Sequence, residues 1–226
     1  MKKKLIFFLF WGMSYGAFAQ NGSADKEPNY GMKMGIGLHS FHGAELKNPT
    51  PTMGYVAGLY IHDNLSKGKI HFQAGLDIRF RGSNFDNANT GDTAVNTAYT
   101  KIGLVTLDMP FAILYSLQPS KKEKAPFLTA GFVVGYIMRS TVYIGPDKIP
   151  LNRSVYTQTW DNLPLKPIEM QASIGFQQKF ADVGIQINLT YGLSNLNNNF
   201  RIENISPITG TGKSIGTWGL EGAIIF

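Results

Sequence analysis

The sequence predicts an all-β fold: an eight-stranded antiparallel transmembrane β-barrel of the outer-membrane type. Three observations carry this. Stretches that alternate apolar with polar or small residues recur along the 226-residue chain at a strict period of two, and the last ends on the terminal Phe226. In the clearest stretch, Ile70, Phe72, Ala74, Leu76, Ile78 and Phe80 share one face, and His71, Gln73, Gly75, Asp77, Arg79 and Arg81 share the other. Such a ribbon separates two solvents; closed on itself, it turns the apolar face to lipid and fills the lumen with the polar one. Finally, links after odd strands (41–52, 82–98, 140–165, 195–213) are long and polar, whereas links after even strands (63–69, 117–125, 181–182) are short. That is the asymmetry of outer-membrane barrels, and it implies an even strand count with both termini on the periplasmic side. A soluble lipocalin-like barrel would place its apolar residues inside and has no reason to alternate its loop lengths.

The chain opens with Lys2, Lys3 and Lys4, an apolar run from Leu5 to Trp11, and a small-residue close at Ala17-Phe18-Ala19. This reads as a secretory signal peptide over residues 1–19, with Gln20 as the first mature residue. The apolar run is too short for an uncleaved spanning anchor, which needs about 20 residues. Residues 20–29 are polar and aperiodic, a flexible periplasmic lead, and residues 30–226 form the barrel. With no cysteine in the chain, a lipoprotein anchor, disulfides and thiolate metal sites are excluded. Half of the formal +6 charge comes from the three signal lysines, which removes the main support for nucleic-acid binding.

The first strand, Tyr30 to Ser40, presents Met32, Met34, Ile36 and Leu38 outward and Gly31, Lys33, Gly35, Gly37 and His39 inward; the inner glycines leave room for larger side chains opposite. The second, Met53 to His62, shows Tyr55, Ala57, Leu59 and Ile61, and the third is Ile70 to Arg81. In the fourth, Tyr99 to Ser116, Val105, Leu107, Met109, Phe111, Ile113 and Tyr115 oppose Leu104, Thr106, Asp108, Pro110 and Ala112. Pro110 cannot donate to a ladder, so it marks a bulge or locally broken pairing. The fifth strand, Pro126 to Arg139, turns Thr129, Gly131, Val133, Gly135 and Arg139 inward; the sixth, Lys166 to Phe180, does so with Glu169, Gln171, Ser173, Gly175 and Gln177. The seventh shows Ile185, Ile187, Leu189, Tyr191 and Leu193, and the eighth, Ser214 to Phe226, opposes Trp218, Leu220, Ile224 and Phe226 to Thr217, Gly219, Glu221 and Ala223.

Several of these stretches carry a family resemblance. Leu107-Asp108-Met109-Pro110-Phe111-Ala112-Ile113-Leu114-Tyr115, the Gly-rich Ala130-Gly131-Phe132-Val133-Val134-Gly135-Tyr136, Tyr191-Gly192-Leu193-Ser194-Asn195-Leu196 and the terminal Phe226 resemble the PorT-like outer-membrane β-barrel proteins of Bacteroidetes. The resemblance covers essentially the whole mature chain and implies a small barrel, most relatives having no assigned activity and the eponymous one a part in protein secretion. Asp108 stands where the family pattern carries Glu.

Eight inward charges form the candidate site: Lys33, Asp77, Arg79, Arg81, Asp108, Arg139, Glu169 and Glu221. A lone charge in a narrow lumen is costly, so opposite signs must pair. Eight strands leave an interior just wide enough for side chains, which makes this set a structural plug of salt bridges in preference to a gated pore or proton path. His39, His42, His62 and His71 lack a clear carboxylate partner and read as hydrogen-bonding groups, so no metal or other cofactor is expected. Ser40 beside His39 and His42 is the one place offering a serine nucleophile for a lipid-modifying enzyme, but no orienting carboxylate is specified there. In the loop from Thr141 to Leu165, Tyr143, Arg153, Tyr156 and Trp160 suit protein contact, with Tyr143 and Trp160 suiting equally the aromatic girdle at the outer interface. Gly210 to Ser214 mimics a phosphate loop but lacks its first glycine and leads into a strand. The expectation is a non-enzymatic barrel in outer-membrane lipid that binds a protein partner, as an accessory subunit of a secretion or assembly machine or at the cell surface.

Overall fold

The computed structural model describes residues 29–43, 49–66, 69–88, 97–118, 125–145, 158–161, 165–180, 183–196 and 215–226. The signal segment, most of the polar lead, Arg153, Tyr156 and the 210–214 motif lie outside them. The described residues form β1 (Asn29–His42), β2 (Pro49–Ser66), β3 (Ile70–Ala88), β4 (Thr97–Ser116), β5 (Pro126–Gly145), β6 (Gln158–Asp161), β7 (Ile168–Phe180), β8 (Val183–Gly192) and β9 (Gly216–Ile225).

Every adjacent pair is antiparallel, and the sheet closes through β1 with β9 and β4 with β5. There are nine segments but eight staves. The short β6 pairs with the outer end of β5 (Thr141 with Asp161) and β7 pairs with the rest of it (Tyr136 with Ile168), so β6 and β7 line the same side of β5 and count as one stave. At the seam, Phe226 has left the regular strand yet still donates its N–H to the Met32 carbonyl and accepts from the Met32 N–H, at 2.9 and 3.2 Å. Tyr60 caps the same Phe226 carbonyl with its hydroxyl at 3.2 Å.

The faces are inverted relative to a water-soluble protein. Ile36, Ile187 and Leu220 are 54, 49 and 46 % exposed, while Asp77, Asp108 and Glu169 are fully buried. Closed backbone pairing satisfies the peptide groups where no water can, which is why an apolar exterior is stable in lipid.

The strands outrun their expected ends on the side of the long links. β1 continues to His42 and β2 begins at Pro49; β3 and β4 pair as far as Ala88 with Thr97, and β4 and β5 as far as Tyr99 with Gly145. Residues read as loop are therefore partly ladder, because polar alternation beyond the lipid band carries no apolar face to mark it. Pro110 breaks pairing locally without shifting register: the β3–β4 ladder lapses between Ala74–Phe111 and Asp77–Asp108.

The register shift of consequence lies elsewhere. Val105 pairs with Arg139 but Thr106 pairs with Ile137, leaving Met138 as the extra residue of a β-bulge. One inserted residue inverts which face the following side chains take. Arg139 is thus exposed on the outer wall, opposite the outward Val105, and the expected lumenal Arg139 is corrected. Ser140 and Thr141 beyond it are buried.

Candidate functional site: the buried ionic layer

Strand alternation fixes which side chains can meet inside. β3 delivers Asp77, Arg79 and Arg81 at every second residue, β1 delivers Lys33 and His39, and β4, β7 and β9 deliver Asp108, Glu169 and Glu221. Lys33 Nζ donates to Asp77 Oδ2 at 2.7 Å. Arg79 is the hub: its Nη1 donates to Asp108 Oδ2 at 2.7 Å, its Nη2 to Asp77 Oδ2 at 3.2 Å, and its Nε lies 2.8 Å from Glu221 Oε1. Arg81 forms a second, smaller knot. Its Nη2 pairs with Glu169 and its Nη1 donates to Thr217 Oγ1 at 3.1 Å, while the Thr217 hydroxyl donates to Glu169 and Gln171 Nε2 donates to Thr217 at 3.2 Å. All these charged side chains are at most 6 % exposed.

Seven of the eight charges expected in the lumen are therefore brought together. Thr217, Gln171 and His39 join them without having been singled out for it. A neutral hydroxyl or amide on an inner face looks like any other polar filler, and the sole signal for Thr217 was its parity with Glu221. The fork of an arginine suits it to several carboxylates at once, which a lysine could not serve.

Apolar layers flank the ionic one. Toward the long-link end, Phe41 and Phe85 approach with ring centroids 6.1 Å apart, beside buried Ile102 and Leu104. Toward the short-turn end lie Leu114, Ala125 and Phe127. There Phe127 sets its edge against His62 and His71, at 5.9 and 4.9 Å between centroids, and the two imidazoles sit 3.0 Å apart, Nε2 to Nδ1.

The Ser40 region does not assemble a nucleophile and base. The Ser40 hydroxyl is 3.0 Å from that of Ser83 and donates to the Phe41 carbonyl at 3.3 Å. His39 points inward, 3.5 Å from Glu221, whereas His42 stacks on the outward Tyr191 at 4.3 Å between centroids. Tyr143 and Trp160 occupy the β5–β6 ladder, paired with Thr159 and Val142.

The closed eight-stave wall, apolar outside and ionic inside, agrees with the comparison to known families: residues 18–198 match the model of the outer membrane protein beta-barrel domain. The chain belongs to that family. Among solved structures, it is similar to the Yersinia pestis attachment invasion locus protein Ail, in complex with the heparin analogue sucrose octasulfate, at 10 % identity and a TM-score of 0.44, covering 89 % of this chain and 100 % of that one. It is similar also to Neisserial surface protein A, at 9 % identity and a TM-score of 0.44 over 88 % and 98 % of the two chains. A third is the outer membrane enzyme PagL, at 13 % identity and a TM-score of 0.34 over 85 % and 97 %. No curated protein sequence matches significantly.

Proposed function

We propose that this outer-membrane barrel is a non-enzymatic structural or accessory subunit that binds a protein partner through its long loops or its lipid-facing wall. The supporting observation is the lumen, where a hydrogen-bonded ionic layer sits between two apolar ones, with Asp77, Asp108 and Glu169 fully buried. A barrel whose interior is packed transports nothing and acts through its surfaces. The PorT-like resemblance favours a secretion or outer-membrane assembly machine as the setting. Export then proceeds by cleavage after residue 19, with residues 20–29 as a periplasmic lead.

Two measurements test this reading. Reconstituted in planar bilayers, the barrel is expected to be electrically silent, and unit conductance that changes on replacing Arg79 or Glu169 would establish a pore instead. Mild-detergent purification from native membranes is expected to retain one partner at fixed stoichiometry. Trimming residues 146–157, which spares the β5–β6 ladder, should release a partner held by Arg153 and Tyr156 together with flanking Tyr143 and Trp160, while heat-modifiable gel migration survives. Recovery of the barrel alone at stoichiometric purity counts against the proposal.

A further inference from the structure

We propose that Lys101, Arg139 and Lys166 form a docking site on the outer wall of the barrel for the phosphorylated headgroup of a lipid in the outer leaflet. The site exists because of the bulge. With Met138 as the extra residue of β5, Arg139 leaves the lumenal face and lies opposite the outward Val105 of β4. Farther toward the long-link end, Lys101 keeps the parity of Val105, since Ile102 and Leu104 between them are buried, and so shares the outer face. Lys166 flanks Arg139 from the other side. Its N–H donates to the Leu196 carbonyl at 2.9 Å, and the carbonyl of the next residue, Pro167, accepts from the Ile137 N–H at 2.8 Å, which ties this segment against β5 beside the bulge. Arg139 and Lys166 are exposed, and Lys101 is partly so.

Their height on the wall decides the occupant. The outward row immediately beneath is Leu107, Tyr136 and Ile168, paired across β4, β5 and β7, with Tyr136 and Ile168 about half exposed. Apolar and aromatic side chains give way to cations within one step along the strands, so the charges stand where acyl chains meet headgroups. At the short-turn end the same three strands present Tyr115, Leu128 and Phe176 in one row, without a charge. The cations therefore address one leaflet, the outer one. Lys101 stands about 13 Å along the wall from the Val105–Arg139 row, and Lys166 is one strand, about 5 Å, across from β5. That spread is within the reach of three long side chains. Like charges side by side on a sheet repel, and the nearest carboxylate in register among the described residues, Asp161 opposite Thr141, is one against three cations. A phosphate supplies negative charge at this height: arginine grips it with its fork, and the lysines act as point charges. The acyl chains of the same lipid lie along Tyr136 and Ile168, a surface that a soluble anion could not use.

This site stands independently of the proposed protein partner. The test is native mass spectrometry of the detergent-solubilised barrel equilibrated with monophosphoryl lipid A, with the dephosphorylated lipid as the comparison probe. The proteins are the wild type, the double variant Arg139→Gln/Lys166→Gln, and Lys69→Gln, an exposed cation just ahead of β3 at the short-turn end. The wild type is expected to retain the phosphorylated lipid in preference to the other, and the double variant to bind it about tenfold more weakly or worse, as loss of charge-assisted hydrogen bonds requires. Lys69→Gln should bind as the wild type does. Added salt should weaken retention by the wild type more than by the double variant. Both substituted positions are exposed, so heat-modifiable migration should survive; if it does not, Lys101→Gln alone carries the test, with weaker retention expected there too. Equal retention of the two lipids by the wild type overturns the proposal, as does wild-type retention by the folded patch variants or a loss of the same size in Lys69→Gln. Release of an acidic protein partner from native membranes by the double variant, with lipid retention unchanged, would assign the patch to protein instead.

Discussion

Replacing Arg79 by methionine is expected to cost about 3–5 kcal/mol, the range for removing one partner of a buried ion pair, and to abolish heat-modifiable migration on gels. Arg79 is 2 % exposed and serves Asp77, Asp108 and Glu221 from three different nitrogens. Its loss leaves Lys33 to neutralise three carboxylates in a compartment closed by Phe41 and Phe85 above and Leu114 and Phe127 below. Lysine at the same position should rescue little, because one ammonium cannot span three acceptors held by β3, β4 and β9. Adding Asp108→Asn to Arg79→Met should restore part of the loss, a coupling that urea titrations in vesicles would read directly. Wild-type stability in Arg79→Met would mean that the side chains do not meet as described.

An arginine at Ile187 tests the other face. Ile187 is the central outward residue of β8, between Val183 and Ile185 on one side and Leu189 and Tyr191 on the other, with Phe176 of β7 and Gly222 of β9 beside it. Mid-bilayer, that substitution should cost about 2–4 kcal/mol, whereas Leu193→Arg, past the end of the same strand, should cost about 0–1 kcal/mol. In a detergent-free aqueous core the order would be different, since Ile187→Arg on a water-facing surface costs almost nothing. The difference between the two variants therefore reports the depth of β8 in the membrane.

Most of the wall was legible from the chain because period two is the only pattern a half-lipid, half-lumen strand can show. Lys33, Asp77, Arg79, Arg81, Asp108, Glu169 and Glu221 could be assigned inward for the same reason: a charge on a spanning strand has no stable place on the lipid side. Arg139 escaped that logic because the bulge at Met138 carries no glycine or proline to announce it; the extra residue is visible only against Val105 and Thr106 of the neighbouring strand. Partners within the layer were equally hidden. Which residue stands across the lumen from Arg81 depends on the stagger between β3 and β7, 88 positions apart, and no local pattern encodes stagger. The ladder formed by β6 was missed because four residues are too few to display a period.

The seam between β1 and β9 links closure of the cylinder to electrostatics. Lys33 belongs to the first stave and Glu221 to the last, yet their counter-ions, Asp77 and Arg79, ride on β3. Until the two terminal staves zip together, Glu221 cannot reach Arg79, and the acids and bases of an open ribbon stay hydrated. Sealing the hoop and drying its interior are in consequence a single cooperative event, so a chain shortened by its final hairpin should not persist as a stable half-circle in the bilayer.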